Sequence, residues 1–211
     1  MSKTAFAEPG AAAPLKVNRQ ELRTRETREL LMRAAKTIFI RDGYEGADLN
    51  DIAELAGRTK GAIYGHFKSK EEIFLALIED HRQEYREKIQ RLISSDVKRN
   101  IAVMRQFVID LAEDDDWALL LLEFKMFTLR HPETKERFQS FYEPLASDSE
   151  EMYARLIGPA GKGSVGRAIA LHSIIPMLSV LLLEAKFEPG LTNKDSIKKV
   201  IAGVFDYLLA T

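Results

Sequence analysis

Apolar residues in this chain recur three and four positions apart, which is the spacing of α-helices, and no stretch alternates as a half-buried β-strand does. Leu30, Ala34 and Ile38 mark a first helix, and Asp42-Gly43 should end it because glycine readily adopts the left-handed conformation of a helix C-terminus. Later apolar stripes, separated by Gly, Pro and Asp, complete an all-α protein of about nine helices. Beyond residue 95 the predicted helices lie near 97–112, 116–131, 133–157, 164–187 and 192–210.

Two short helices follow the first one. Asp48 is placed to cap the second helix, which contains Ile52 and ends at Gly57. Thr59 is placed to cap the third helix, which we expect to end near Phe67. Two short helices joined by a tight turn predict a helix–turn–helix, the motif that offers its second helix to the major groove of DNA.

The stretch KGAIYGHFKSK, residues 60–70, contradicts helix preferences at three positions. Gly61 and Gly65 each cost a helix interior roughly 1 kcal/mol relative to alanine. Lys70 opens a fourth helix, indicated by the capping box Ser69–Glu72, although a helix N-terminus disfavours positive charge. In a DNA-binding helix the glycines would let the backbone approach phosphates, and Lys70 would hold a phosphate at that helix end. The glycines could equally serve close helix packing, and Lys70 could be an ordinary surface lysine.

The other side chains of the third helix divide into two faces. Ile63 and Phe67, four positions apart, should anchor it to the first two helices, which leaves Lys60 and Tyr64 on the outer face. The Tyr64 hydroxyl suits a phosphate, and its ring edge suits a thymine methyl group. Tyr64 and His66 could instead be half-buried packing residues.

Residues 27–77 resemble the DNA-binding domain of the TetR/AcrR family of transcriptional regulators. The likeness rests on Ala35, Phe39, Gly43-Tyr44, Asp51-Ile52-Ala53, Ala56-Gly57, Lys60-Gly61-Ala62-Ile63-Tyr64, His66-Phe67 and Lys70. It implies a homodimer that binds a roughly palindromic operator in double-stranded DNA, usually as a repressor that a small molecule in the C-terminal domain releases. By position, the resemblance gives a DNA-contact role to Thr59, Lys60, Gly61, Tyr64, His66 and Lys70.

Two positions depart from the family pattern. The turn carries Arg58 where an apolar residue is usual, so Arg58 either contacts DNA or is a surface arginine. The usual hydroxyl residue before the second helix is missing around Leu49, and Asn50 could supply its DNA-backbone contact.

The predicted domains are a flexible basic arm at 1–21, a helix–turn–helix domain at 22–69, and a ligand-binding and dimerisation domain at 70–211.

The larger domain is expected to hold a dimer interface and an effector site. The helices near 164–187 and 192–210 have an apolar width that favours an intersubunit four-helix bundle, although they could bury this surface within their own domain. Glu123 and His172 could orient a ligand, and Glu123 could alternatively pair with Lys125 or Arg130. The candidates for lining a site for a small apolar or aromatic effector, any of which could instead be plain core, are Met104, Trp117, Glu123, Phe124, Phe127, Phe141, His172 and Met177.

Composition and missing motifs weaken other function classes. The chain has no cysteine and four scattered histidines, so no disulfide, metal site or cofactor is expected. The motifs HExxH, GxSxG, GxGxxG and Glu-x-x-His are absent, and 158–164 lacks the glycine spacing of a P-loop. A helical-bundle enzyme is therefore the weaker alternative, beside a ligand-independent or activating regulator.

The distribution of charge and apolar residues points to a cytoplasmic DNA-binding protein. The first 70 residues are net basic and the remainder is net acidic, so a polyanionic partner should meet the N-terminal end. The run 168–183 is expected to be too short and too polar to cross a membrane, and no signal peptide is visible.

Overall fold

The computed structural model describes residues 19–159, 166–190 and 192–209, and for 142–152 it describes the helix without its side chains. Every long element in these residues is an α-helix, and one short 3₁₀ turn at Leu111–Glu113 follows the fifth helix. The all-α prediction is confirmed. The helices are α1 (Arg19–Gly46), α2 (Leu49–Leu55), α3 (Lys60–Tyr64), α4 (Lys70–Leu92), α5 (Val97–Asp110), α6 (Asp115–Arg130), α7 (Pro132–Ile157), α8 (Arg167–Phe187) and α9 (Lys194–Leu209).

α1 and α3 differ from the predictions at their ends. α1 begins at Arg19, inside the segment predicted as an arm, most of which lies outside the described residues. At Gly43, where α1 was predicted to end, φ of 74° and ψ of 173° break the helical conformation before a last turn reaches Gly46. α3 ends at Tyr64 rather than near Phe67, because Gly65 takes the C-cap position and the chain then leaves the helix through turn-type hydrogen bonds.

The predicted caps of α2 and α4 are present. Asp48 accepts a hydrogen bond from the backbone N–H of Asn50 at 2.6 Å, and Ser69 accepts one from Glu72 at 3.1 Å. The Glu72 carboxylate accepts from the Lys68 N–H at 2.6 Å, one residue before the donor that a capping box uses. These caps fix the two ends of the segment that carries α3.

A first hydrophobic cluster joins the N-terminal helices to α6. α1 contributes Phe39 and Tyr44 to this core and α4 contributes Phe74. α6 adds Phe124, which is fully buried. The Phe124 ring centroid lies 4.6 Å from that of Tyr44 and 4.3 Å from that of Phe74. Ring pairs at these separations contribute beyond their buried area, so α6 is held firmly against α1 and α4.

A second cluster forms where α5, α8 and α9 meet. α8 has 21 residues and a mean hydropathy of 1.9 in its most apolar window. By length and composition it is the helix in the described part of the chain that could cross a membrane. The run 168–183 was expected to be too short and too polar for this. Leu171, Ile174 and Leu178 bury one of its faces in the second cluster. A core helix therefore accounts for this composition as well as a spanning one does.

Candidate nucleic-acid interface and ligand cavity

The turn of the helix–turn–helix depends on Gly57. Its φ of 63° lies in the left-handed region, and nothing lies within 4 Å of the place where a Cβ would be, so backbone conformation is the reason for glycine here. The N–H groups of Gly57 and Arg58 donate to the carbonyls of Glu54 and Ala53, at 2.9 and 2.8 Å. These bonds end α2 and set the direction in which α3 begins.

α3 has the two faces that its sequence predicts. Ile63 and Phe67 keep only 1% and 2% of their surface exposed, and the Arg28 guanidinium lies 5.2 Å from the Phe67 ring centroid. On the opposite face Lys60 and Tyr64 are exposed, Tyr64 by 54%. A large aromatic side chain on a face that packs on nothing within the protomer is typical of a binding surface.

The glycines of α3 are not required by the interior of the protein. A Cβ on Gly61 would meet the Thr59 hydroxyl at 3.7 Å, and one on Gly65 would meet the Ala62 carbonyl at 3.4 Å, both ordinary contacts. The close-packing interpretation therefore lacks a neighbour to pack against. Thr59 occupies the N-cap position without using its hydroxyl as a cap, so this hydroxyl also points to no partner in the described structure.

Lys70 has partners of its own within the protein. Its ammonium donates to the carbonyls of Glu45 at 2.9 Å and Ala47 at 3.0 Å, and lies 5.1 Å from the Tyr44 ring centroid. Burial lowers the pKa of Lys70, and the carboxylates of Asp48 and Glu45 oppose that shift. These carbonyls explain a lysine at a helix N-terminus without an anion. One of its three N–H groups remains for a phosphate, so the phosphate contact stays a prediction.

The other predicted DNA contacts sit at the rim of α3. Arg58 is exposed and donates to the Gly57 carbonyl at 3.0 Å, which leaves most of its guanidinium donors free. Asn50 is exposed in the first turn of α2. His66 is partly buried, with its ring centroid 6.4 Å from that of Phe67. All eight predicted DNA-contact residues therefore lie between the first turn of α2 and the first residue of α4, with Lys70 the most engaged internally.

A cavity of about 470 Å³ lies between α4, α6 and α8, bounded also by the ends of α5 and α7. Its walls combine aromatic and aliphatic side chains with a few polar ones. Two smaller depressions, of about 300 and 260 Å³, lie beside it against α4 and α5. The described residues at its aromatic and polar positions are His81, Arg82, Tyr85, Arg86, Gln90, Phe107, Asp114, Trp117, Lys125, Tyr153, Arg155, His172 and Ser179.

Only Trp117 and His172 of the eight predicted effector residues line this cavity. Phe124 lies in the first cluster, with Phe127 and Phe141 packed against it, because that face of α6 packs on α1 and α4. Met104 is buried in the second cluster and Met177 packs on it. These five residues lie in or against the two hydrophobic clusters and are not among the residues that line this cavity.

Glu123, the remaining candidate, contacts the N-terminal domain. Its Oε1 accepts a hydrogen bond from the backbone N–H of Tyr44 at 2.8 Å. A Cβ on Gly43 would lie 2.7 Å from the same oxygen, so glycine is needed there for space as well as for its positive φ. Neither a ligand nor the pairings with Lys125 and Arg130 explain Glu123.

A family model decides what the N-terminal surface is. Residues 31–77 match the family described as bacterial regulatory proteins, tetR family. Residues 31–77 form a tetR-family regulatory domain. The match runs from α1 into α4 and contains the whole helix–turn–helix, so the resemblance is confirmed, and the chain is a DNA-binding transcriptional regulator rather than an enzyme.

Several proteins similar to this chain are transcriptional regulators. The transcriptional repressor AcnR of Corynebacterium efficiens is 28% identical over 137 residues, which are 65% of this chain and 68% of that protein. The transcriptional regulator TtgR of Pseudomonas putida is 34% identical over 95 residues, so the chain matches about half of that relative, 45% of its length. The crystal structure of NalD, the secondary repressor of the MexAB-OprM multidrug efflux pump in Pseudomonas aeruginosa, has a TM-score of 0.60 at 23% identity, covering 89% of this chain and 97% of that one. This likeness shows a shared fold for both domains.

Sequence reasoning missed most of the polar residues that line the cavity, among them His81 and Lys125. His81 is 8% exposed, and neither ring nitrogen has a hydrogen-bond partner among the described residues. Burial lowers the pKa of His81 to about 4, so the ring is neutral at pH 7, and burial also lowers the pKa of Lys125. His81 could have been noticed because it follows Ile78 by three positions, on the apolar stripe of α4.

Proposed function

We propose that this chain is a transcriptional repressor that binds a palindromic operator as a homodimer and releases it when a small effector enters the cavity. The observation that carries the DNA-binding part is the outer face of α3, which presents Lys60, Gly61 and Tyr64 without an internal reason for any of them. Lysine would contact phosphate, glycine would allow the backbone to approach, and tyrosine would reach a phosphate or a base edge. We expect the protein to act in the cytoplasm, where operator DNA is found.

Operator binding is tested with a fragment from around the protein's own gene, by fluorescence anisotropy at several salt concentrations. Lys60→Ala should weaken binding and lower the slope of log K against log salt by about one unit for each phosphate that the lysine neutralises. Tyr64→Ala should weaken binding without unfolding the protein. Lys98→Ala, which removes the same charge from the exposed first turn of α5, is the matched control. Full affinity in both α3 variants, or absence of binding by the wild type at low salt, would remove the proposal.

Exposed apolar residues on α8 and α9 support the homodimer. Ile169 is 64% exposed and Val180 is 47% exposed on α8, while Val200 is 47% exposed on α9. Gly203 follows Val200 by three positions, and a Cβ there would meet nothing within 4 Å. Because glycine costs a helix interior roughly 1 kcal/mol, a glycine with open space beside it suggests that a second helix approaches from outside the protomer.

Gly203 offers a sharp test of this interface. Gly203→Leu should not lower the stability of the isolated protomer, because leucine is the better helix former. The same variant should dissociate the dimer in sedimentation equilibrium, since the new side chain occupies the space of the partner helix. Ala102→Leu, on an exposed face of α5, is the control for an added leucine. A Gly203→Leu protein that dimerises as tightly as the wild type would place the interface elsewhere.

The effector part of the proposal rests on the helices that line the cavity. α4 contributes Ile78 and His81 to the cavity, and α6 contributes Trp117 and Leu121. Both helices also enter the first cluster, beside the helix–turn–helix. Ligands that raise the unfolding temperature should therefore also release the DNA fragment. A ligand that stabilises the protein and strengthens DNA binding would make the protein a ligand-dependent binder instead.

A further inference from the structure

Cationic side chains outnumber acidic ones around the cavity. Among its described lining residues, Arg82, Arg86, Lys125 and Arg155 carry positive charge and Asp114 alone carries negative charge. Arg82 is paired with Glu79 at 3.1 Å on the side of α4. The excess of positive charge therefore does not rest on one residue, and it faces a mostly apolar volume.

Lys125 is the member of this set with the least compensation. It projects from α6, is partly buried, and has no ion pair or side-chain hydrogen bond among the described residues. Burial lowers the pKa of Lys125, and no carboxylate of the described side chains opposes that shift. A buried ammonium without a partner costs free energy that a bound anion would offset.

Arg82 and Arg86 extend the positive potential to the α7 side of the cavity. Burial raises the pKa of the Tyr153 hydroxyl, and the charges of Arg82 and Arg86 oppose that rise, so both guanidinium groups act on this side of the cavity. Arg86 is exposed and has no ion pair among the described residues. An anion in the cavity would therefore experience the positive potential of these arginines as well as that of Lys125.

His81 supplies a neutral polar group inside the cavity. Its ring is nine-tenths buried, and both nitrogens lack hydrogen-bond partners among the described residues. Asp114 Oδ2 lies 3.6 Å from Nε2, which is too far for a hydrogen bond. A neutral imidazole offers one N–H donor. A ligand oxygen would satisfy this donor, whereas an empty or purely hydrocarbon-filled cavity leaves it unpaired at a cost.

The rest of the wall is apolar. Trp117, Tyr85 and Phe107 form its aromatic part, and Ile175 and Pro176 of α8 lie among its aliphatic residues. The volume of about 470 Å³ equals roughly fifteen waters of ~30 Å³ each, enough for an apolar body of about a dozen heavy atoms.

We propose that the effector is an apolar carboxylate, whose hydrocarbon or aromatic body fills the cavity and whose anionic group lies by Lys125. This inference rests on the proposed function and specifies the chemical class of the effector. It differs from the sequence-based expectation of a merely apolar or aromatic molecule by requiring a negative charge.

The test compares probes that share a ten-carbon tail and differ only in the head group. Binding of decanoate, decanol and decyltrimethylammonium is measured by isothermal titration calorimetry on the full-length protein. Decanoate should bind at least about tenfold more tightly than decanol, the gain expected from one charge-assisted contact, and the cation should bind most weakly. An aromatic acid, 4-butylbenzoate, shows whether the site prefers a linear or an aromatic body.

Variants locate the anionic group. Lys125→Met should reduce decanoate affinity to the level of decanol and leave decanol binding unchanged, while Lys98→Met, outside the cavity, should change neither. Arg86→Gln, at an exposed position, provides a second variant if Lys125→Met does not fold, and should reduce the preference for decanoate severalfold. Equal binding of decanoate and decanol, no binding of any probe, or an unchanged preference in these variants would overturn the inference.

Parallel DNA measurements separate this inference from the proposed function. If decanoate binds through Lys125 but does not release the promoter fragment, the carboxylate site stands and the effector-released repressor fails. If the wild type binds the fragment while decanol binds as well as decanoate, the repressor stands and the carboxylate inference fails.

Discussion

The contact between Gly43 and Glu123 predicts a specific energetic coupling between the two domains. Gly43 has φ of 74° and ψ of 173°, a conformation that essentially only glycine adopts. A Cβ there would lie 2.7 and 2.9 Å from the two carboxylate oxygens of Glu123. Because a carboxylate ends a flexible side chain, it would swing away in Gly43→Ala, and the Tyr44 N–H would be left without its acceptor.

The magnitude of the effect follows from two separate terms. Backbone strain at this φ and ψ costs an alanine about 1–3 kcal/mol in either background. Removal of a hydrogen bond to a charged acceptor adds about 1–2 kcal/mol, at the lower end of the usual range because Glu123 is exposed to solvent. Gly43→Ala should therefore cost about 2–5 kcal/mol in the wild type. In a Glu123→Ala background only the strain remains.

A double-mutant cycle measures this difference. Urea unfolding of the wild type, the two single variants and the double variant should give a coupling energy of about 1–2 kcal/mol. Gly57→Ala is the control, since Gly57 also has a positive φ, of 63°, but no atom within 4 Å of a Cβ. Its cost should be the same with and without Glu123. Additive costs for Gly43→Ala and Glu123→Ala would refute the contact between α6 and the end of α1.

Three further predictions concern single side chains. Burial lowers the pKa of His81 from 6.5 to about 4. Between these two pH values the unfolded chain binds a proton at His81 that the folded chain does not. The free energy of unfolding should therefore fall by up to about 3 kcal/mol as pH drops from about 6.5 to about 4. His81→Leu should flatten that part of the unfolding-versus-pH curve, and an equal slope in both proteins would contradict the assignment. Arg167→Met should lower the free energy of unfolding by about 3 kcal/mol in urea titrations. The buried guanidinium donates to the Leu209 carbonyl at 2.7 Å, and its removal leaves that carbonyl unpaired. A decrease below about 1 kcal/mol would show that water replaces the guanidinium. Lys70→Met should lower the unfolding temperature by removing the donor of two carbonyls, at a cost of about 1–2 kcal/mol, and an unchanged temperature would restore the surface-lysine interpretation.

The helix–turn–helix could be predicted almost completely because its determinants are local. Asp48 and Gly57 mark the ends of α2 through interactions within a few residues. Ile63 and Phe67 identify the buried face of α3 by spacing alone. The same reasoning extended α3 too far, because the turn after Gly65 still makes helix-like hydrogen bonds to the Ile63 carbonyl.

The cavity could not be predicted in the same way because it depends on which helices become neighbours. Phe124 and Trp117 are both aromatic residues on α6. The local sequence does not indicate that Phe124 packs on Tyr44 while Trp117 also lines the cavity. Lys70 shows the same limit, since its partners at Glu45 and Ala47 belong to a different helix end. Periodicity identifies a buried face but not the surface that covers it.

α6 connects the proposed effector site to the proposed DNA-binding surface within a single helix. Since successive residues of an α-helix turn by about 100°, Leu120 and Phe124 face the N-terminal core while Leu121 and Lys125, each one position later, line the cavity. A ligand that displaces the cavity side of α6 must therefore move its other side, because a close-packed helix shifts as a unit. That other side carries the Glu123 carboxylate on the Tyr44 N–H, at the end of the helix that supports α2 and α3. Glu123→Ala should then uncouple the two sites, so that a ligand still binds and DNA still binds but the ligand no longer changes the affinity for DNA.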